Sequence, residues 1–508
     1  MLGNFIMGFE HIFTLEILAM VIIGTILGNI FGSTPGITTS MGIALLLPVT
    51  FEMSIVPAVA LIIGLYVGGT TAGFIPAILL NIPGTPGSIA TIFDGYPMAQ
   101  RGDAGKALGI GIISSFIGGM LSLVVLFTLA PVLAQFALRF GPIEYFSIVV
   151  LTFVLIASLS GNSLLKGMIA ALMGVILTTI GMSPIDGAFR YTFGIHMLIG
   201  GIHLMPVLIG VYAVTEVLKI AEFDAPLAKP VEYKMRGFGL SLKEAKSQIF
   251  NWLRSAIIGI GVGILPGIGA NVSNVIAYTA AKNQSKYPEK FGTGIIDGVV
   301  ASETSNNGVT GSAMIPVLTM GIPADAGTAM LLAAMMIQGV QPGPLLFTTN
   351  PLLIYSIFAL LIISNLVMIS SLYFGMRLFV KVLRVPKHVL MPIILVVCCV
   401  GAFSISHRLF DVGSLIAVAL LAYGMIKFDY PLAPLVLGFV LGDLFEVNLR
   451  RGLMVTRNNF FGFFESPIAM VVFIIFAIVV FFTIKKQLKL GKKLNPKHNN
   501  GGAENESK

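Results

Sequence analysis

Charge is what this chain lacks. Of its 508 residues only 11% are Asp, Glu, Lys or Arg, against about 25% in an ordinary soluble protein. A soluble chain of this length would divide into two or more domains, each with a polar shell. So few charges cannot coat such shells. The shortage is also uneven. Residues 17–93 carry a single charge, Glu52, and residues 107–138, 255–281 and 326–376 carry none. Each run exceeds the ~20 residues that cross a bilayer core. The chain therefore reads as an all-α polytopic membrane protein. A soluble enzyme, a nucleic-acid binder and a single-anchor protein are excluded together.

Other absences narrow the chemistry. The two cysteines, Cys398 and Cys399, are adjacent inside an apolar run and form neither a disulfide framework nor a metal site. The six histidines are scattered, with no HExxH and no Cys/His cluster. There is no nucleophile–base constellation, so no enzymatic activity, cofactor or metal is expected. The absence of a P-loop argues against self-driven ATP use. No Lys or Arg precedes Arg101, so a cleaved signal peptide is not expected. Glycine is abundant instead, at 57 residues. In membrane helices it permits close packing and local unwinding.

The few basic residues map the membrane. The net charge of +8 is weighted to the end: seven of 31 Lys/Arg lie in 485–508, a polar tail expected to be disordered and cytoplasmic. Basic clusters at 101–106, 229–254, 282–290 and 377–387 are placed on the same side. The apolar runs then thread with little conflict. Residues 107–131 run outward, 142–160 inward, 164–182 outward and 194–219 inward. Residues 350–376 run inward, 389–407 outward, 409–427 inward and 431–446 outward, and 466–484 return to the tail. Arg450, Arg451 and Arg457 would then lie outside. Either 431–446 is re-entrant, or those arginines pair with protein or lipid phosphate.

Two regions, 12–105 and 250–348, are apolar yet interrupted by Gly, Pro, Asn, Ser and Thr, and they resemble each other. Gly28-x3-Gly32-x2-Pro35-Gly36-Ile37 matches Gly259-x3-Gly263-x2-Pro266-Gly267-Ile268. Ile75-Pro76-x4-Asn81-Ile82-Pro83-x3-Gly87-Ser88 matches Ile315-Pro316-x4-Gly321-Ile322-Pro323-x3-Gly327-Thr328. The order is kept, which kinks serving packing alone would not require. The expected organisation is a first repeat over 1–225, a cytoplasmic linker over 226–249 and a second repeat over 250–460. A final transmembrane helix over 461–484 and the tail over 485–508 follow. The first copy reaches its cytoplasmic charges at the end of its broken region; the second starts from them. The repeats are thus expected to have inverted topology, a plan typical of secondary transporters, with a site near the midplane.

Pro-Gly interrupts a helical ladder, and the restart offers free N–H groups and a positive dipole end. After Pro35 and Gly36 come Thr38, Thr39 and Ser40; after Gly267 come Gly269, Asn271, Ser273 and Asn274. The second motif contributes Asn81, Thr85 and Ser88, and in the second copy Thr328. Such groups suit an anion and, through their oxygens, Na⁺. The same residue types also serve as ordinary helix caps. Glu303, Asn306, Asn307 and Asp325 are candidates for a coupling cation, since acids at membrane depth are functional by default. Asp94, in Asp94-Gly95-Tyr96-Pro97, reads as a turn residue. Residues 17–93 and 255–281 hold no Lys or Arg, so an anion bound there is held without a salt bridge to those segments.

These motifs carry a family resemblance. Gly32-Ser-Thr-Pro35-Gly36, Ile75-Pro-Ala-Ile-Leu-Leu-Asn81-Ile-Pro-Gly-Thr-Pro86, Asp94-Gly95-Tyr96-Pro97 and Leu265-Pro-Gly267 resemble the large permease subunit of the tripartite tricarboxylate transporters. So do Glu303-x2-Asn306-Asn307, Gly321-Ile-Pro323 and Gln341-Pro-Gly-Pro344. The resemblance covers about 12–485. It implies symport of citrate or a related carboxylate with Na⁺ or H⁺ across the bacterial inner membrane. It also implies a small four-helix membrane subunit and a periplasmic solute-binding protein as partners. Membrane lipid surrounds the chain, a homo-oligomer is compatible with it, and no nucleic acid is involved. An elevator-like movement of the broken regions is a further expectation. A passive channel and an intramembrane enzyme are the alternatives.

Overall fold

The structure is a computed structural model that describes residues 2–159, 163–222, 239–267, 269–383 and 387–494. Residues 226–238 of the linker, with Lys229, Lys234 and Arg236, together with Ile268, Arg384 of the third basic cluster and the tail after 494, lie outside the described residues. Helix dominates, and the one sheet is a two-stranded ladder pairing Gly181 with Arg190 and Met182 with Phe189. Among the described residues, eight helical stretches are long and apolar enough to cross a membrane. The chain is an all-α multi-pass membrane protein.

The order of elements recurs. Helix Leu15–Ser33 ends at a Pro-Gly break with Gly36 at φ 89°, and helix Thr39–Leu46 follows. Helix Leu242–Gly263 ends at a Pro-Gly break with Gly267 at φ 78°, and helix Gly269–Gln284 follows. Next come paired helices that hinge before a proline: Ile55–Ala72 with Phe74–Leu80, and Ile296–Ser312 with Met314–Met320. Each second member stops at a left-handed residue, Asn81 at φ 62° and Gly321 at φ 70°. Asn and Gly are the residues that tolerate this conformation, which is why they alternate at the matched position.

The Gly-x3-Gly seam has a packing role. Gly24, Gly28 and Gly32 line one face of Leu15–Ser33. A methyl group on them would lie 2.3, 2.6 and 2.3 Å from the backbone oxygens of Leu61, Leu65 and Gly69. Helix Leu15–Ser33 therefore packs backbone to backbone on Ile55–Ala72, as small residues allow in membranes. In the second half Gly259 meets Ser305 O in the same manner, at 2.3 Å.

The continuous helices follow the expected runs, with two differences. The run expected over 194–219 begins as helix only at Leu204; before it lies the ladder and a short turn at His196–Leu198. Glycines 181, 187, 194 and 201, all at positive φ, keep this stretch from becoming helical. Helix Leu432–Val455 is continuous. Arg450 pairs with Asp186 at 3.2 Å and Glu446 at 3.6 Å, and donates to Ser183 Oγ at 3.2 Å. Of the two readings for that arginine, pairing within the protein is the one observed. Helix Pro467–Leu494 packs mainly on Pro142–Leu159, and its span Pro467–Lys485 is largely exposed.

Candidate functional site

Helix Ile296–Ser312 has no apolar face. Ser302, Glu303, Thr304, Ser305, Asn306, Asn307, Thr310 and Ser312 surround its axis, and all are buried. A helix polar all round usually sits in water; this one packs against Ala104–Ala137, Leu242–Gly263 and Gly269–Gln284. Buried polar groups need partners, and the first half supplies them. The Thr71 hydroxyl donates to Asn307 Oδ1 at 2.6 Å, and Asn306 Nδ2 donates to Thr70 O at 3.1 Å. The Thr91 hydroxyl donates to Glu303 Oε1, and Ser115 to Oε2 at 3.3 Å. Asn307 Nδ2 returns to Glu303 O within the helix at 3.1 Å.

The first half's second break lies against this helix. Asn274 Nδ2 donates to Pro86 O at 3.3 Å and to Gly87 O. Thr85 and Ser88, both buried, face each other at 3.4 Å, close over Gly73. A methyl group on Gly87 would fall 2.2 Å from Asn306 Oδ1, so only glycine fits between the two halves there.

Asp325 starts helix Ala326–Ile337 as its N-cap, accepting from Thr328 N at 2.8 Å while the Thr328 hydroxyl accepts from Asp325 N at 2.9 Å. Its other oxygen accepts from Tyr66 OH at 2.8 Å. Gly267 N donates to Ala324 O at 2.8 Å, tying the two breaks of the second half together. A methyl on Gly269 would touch Asp325 Cβ at 3.1 Å.

The structure thus brings Asn274 and Asn306 against Gly87, with Glu303 and Asn307 beside Asn306 on one helix and Thr85 and Ser88 over Gly73, while Gly267, Gly269, Asp325 and Thr328 join the two breaks of the second half. Other candidates stand apart or have local duties. Thr38 caps helix Thr39–Leu46 through Met41 N at 3.1 Å. Pro35 is buried, Gly36 faces the Ile220 side chain, Thr39 packs on Gly69, and Ser40 is half-buried. Asn81 and Asn271 are exposed, and Ser273 Oγ donates to Ala270 O at 3.2 Å.

Asp94 corrects its expectation as a turn residue. It lies inside helix Ile89–Met98, fully buried. Its Oδ1 accepts from the backbone N–H groups of Gly292, Gly294 and Ile295 at 2.9, 2.7 and 3.0 Å, and its Oδ2 from Tyr278 OH at 2.9 Å. One carboxylate of the first half thus holds a loop of the second. Sequence reasoning also passed over Tyr66, Thr70, Thr71, Thr91 and Ser115, the partners of the polar helix. Thr70-Thr71 inside an uncharged helix was the available signal. Among the described residues no group of three or more His, Cys, Asp or Glu is placed to hold a metal ion.

The profile described as "Tripartite tricarboxylate transporter TctA family" matches residues 18–437. The chain is similar to the "Uncharacterized 52.8 kDa protein in TAR-I ttuC' 3'region" of Agrobacterium vitis, 36% identical over 469 residues, covering 92% of this chain and 93% of that protein. It is also similar to the "Uncharacterized protein in TAR-II ttuC' 3'region" of the same organism, 38% identical over 208 residues, 41% of this chain and 86% of that protein. No solved structure matches.

Proposed function

We propose, from the premise that the chain belongs to the tripartite tricarboxylate transporter TctA family, that it imports a tricarboxylate or related carboxylate together with Na⁺ or H⁺. It acts as the large permease subunit of a secondary-active system. A periplasmic solute-binding protein delivers the substrate, and a small four-helix subunit accompanies the permease. The bacterial inner membrane holds it with its C-terminus in the cytoplasm. Its work is transport rather than chemistry.

The observation that carries this reading is the buried polar helix Ile296–Ser312, solvated by hydroxyls and amides of the other half. Polar and ionisable groups at membrane depth mark a pathway. The recurring order of broken helices supports two inverted repeats, whose breaks meet at a midplane site. The long helices outside this centre suit a scaffold against which the broken regions move as an elevator.

Proteoliposomes holding the permease and small subunit, with binding protein added outside, test the reading. Radiolabelled citrate should accumulate above equilibrium when an inward Na⁺ or H⁺ gradient is imposed. Equilibration indifferent to both gradients would make the chain a passive channel. A covalently altered citrate would make it an enzyme.

A further inference from the structure

Three arginines stand at the end of helix Leu432–Val455 that faces away from the basic tail, where the charge rule for membrane proteins disfavours them. Arg450 is accounted for by Asp186, Glu446 and Ser183. Arg451 and Arg457 are not. Both are exposed, and among the described residues neither side chain has a hydrogen bond or ion pair. The neighbouring acids are engaged elsewhere. Glu446 also holds Arg190, and Glu144 accepts from Gly141 N at 2.7 Å and from Ser466 Oγ. Within residues 451–466 the one acid is Glu465, so two guanidinium groups face a single carboxylate.

These arginines lie at a bilayer face. Helices Leu432–Val455 and Pro467–Leu494 each carry a membrane-length span, and residues 456–466 join them. The join is built, not slack. Asn458 N donates to Leu453 O at 2.7 Å, and Phe461 N donates to Asn459 Oδ1 at 3.0 Å. Phe463 is its buried plug, stacked on Phe460 with ring centres 5.1 Å apart and meeting the Phe146 ring at 5.3 Å. A methyl on Gly452 would fall 2.6 Å from the Phe463 Cζ. With Phe463 turned inward, Phe460, Phe461 and Phe464 stay uncovered, and Phe461 is 79% exposed. Met454 and Val455, one turn from Arg451, are exposed as well. The Phe464 ring leans on Phe473 of the final helix, 5.0 Å away, and the span Pro467–Lys485 of that helix is 6% buried. The turn therefore sets bare aromatic rings beside a lipid-facing helix and two unpaired cations.

We propose that Arg451 and Arg457 bind the phosphate of an acidic phospholipid, whose acyl chains pack on Phe461, Phe464 and the final helix. Aromatic rings settle at the membrane–water interface, and the guanidinium fork matches phosphate oxygens in pairs. A zwitterionic lipid brings its own ammonium group, which offsets the phosphate. A headgroup of net negative charge suits two arginines opposed by one carboxylate. In the orientation proposed above, with the tail in the cytoplasm, this lipid belongs to the outer leaflet. The site stands independently of which solute the permease carries.

Native mass spectrometry of the full-length chain in detergent tests the site, with phosphatidylglycerol and phosphatidylethanolamine of identical acyl chains as probes. The wild type should retain phosphatidylglycerol in preference. Arg451→Gln and Arg457→Gln should each weaken phosphatidylglycerol binding about fivefold, the scale for one basic side chain at an acidic lipid surface, and leave phosphatidylethanolamine unchanged. Arg457→Lys, which keeps the charge, should keep most of the preference. Phe461→Ser should weaken both lipids alike, because the rings meet acyl chains and not the headgroup. Inorganic phosphate should not displace the lipid; displacement would reveal a simple anion site and overturn the assignment. Equal binding of the two lipids by the wild type, or an unchanged preference in the Arg451→Gln, Arg457→Gln double variant, would overturn it too. If that unchanged preference came with loss of the small subunit on co-purification, the surface would belong to protein and not to lipid.

Discussion

Glu303→Gln separates charge from shape at the centre of the site. Glutamine keeps the side-chain length, and Thr91 and Ser115, which donate to the two carboxylate oxygens, carry hydroxyls that both donate and accept. Two hydrogen bonds to a charge become two neutral ones, a loss of about 1–3 kcal/mol in total. Removing the charge also removes a desolvation penalty of several kcal/mol. The two effects oppose each other, so the variant should fold and extract from the membrane like the wild type. Glu303→Ala, by contrast, leaves both hydroxyls without their acceptor and creates a void, and should cost about 2–5 kcal/mol.

The expected functional loss follows from distance. A coupling cation held one helical turn from Glu303 lies about 5–6 Å from its charge. At an effective dielectric constant of ~20, a unit charge at that range attracts a bound Na⁺ by about 3 kcal/mol, or roughly 100-fold in affinity. The Na⁺ concentration giving half-maximal citrate uptake in proteoliposomes should therefore rise by about two orders of magnitude. A Glu303→Gln protein whose Na⁺ dependence stays within about threefold of wild type, while Asn306→Ala loses uptake, would refute the electrostatic reasoning.

Other perturbations probe the contacts around the site. Tyr66→Phe removes the hydroxyl donating to Asp325 at 2.8 Å but leaves the cap on Thr328; thermal unfolding in detergent should show a loss of about 1.5–3 kcal/mol, the range for a hydrogen bond to a charged group. Asp94→Asn turns an acceptor of four hydrogen bonds into a group that must also place two donors. It should lower the melting temperature and make residues 292–295 more susceptible to limited proteolysis. At the charged rim, Lys106 and Ser241 hold the Glu244 carboxyl down to about 2. A depressed carboxyl contributes stability above its unfolded value near 4.5 that is lost as pH falls toward about 2. Lys106→Ala should shrink this contribution, by about 0.2–1 kcal/mol for a pair so exposed. Melting curves between pH 5 and pH 2 should then converge as the pH falls.

Much of the architecture was legible in sequence because it follows from local rules. Long uncharged runs become helices, since a bilayer leaves no other way to satisfy the backbone. The breaks fall where Pro-Gly or a residue tolerant of the left-handed region occurs, and the structure has them at 34–38, 81–85, 264–267 and 321–325. The early end of the run at 178 and the late start at Leu204 were not legible. Hydropathy alone does not register that glycines at 181, 187, 194 and 201 turn the chain aside.

The site divides in the same way. Its polar residues could be listed from sequence because oxygen-rich side chains are conspicuous in apolar segments. Several of them proved to be caps, as Thr38 and Asp325 are, since capping is also a local rule. What sequence by itself determined about this protein is its solvent, its helices and the points where they break. Only tertiary structure decided that Asn274 and Asn306 flank Gly87, that Thr70 and Thr71 solvate the polar helix, and that Asp94 holds a loop about 200 residues away. Those contacts join segments far apart in the chain, and their geometry depends on how backbones approach through glycine seams. No local pattern encodes which residues meet once the halves have closed.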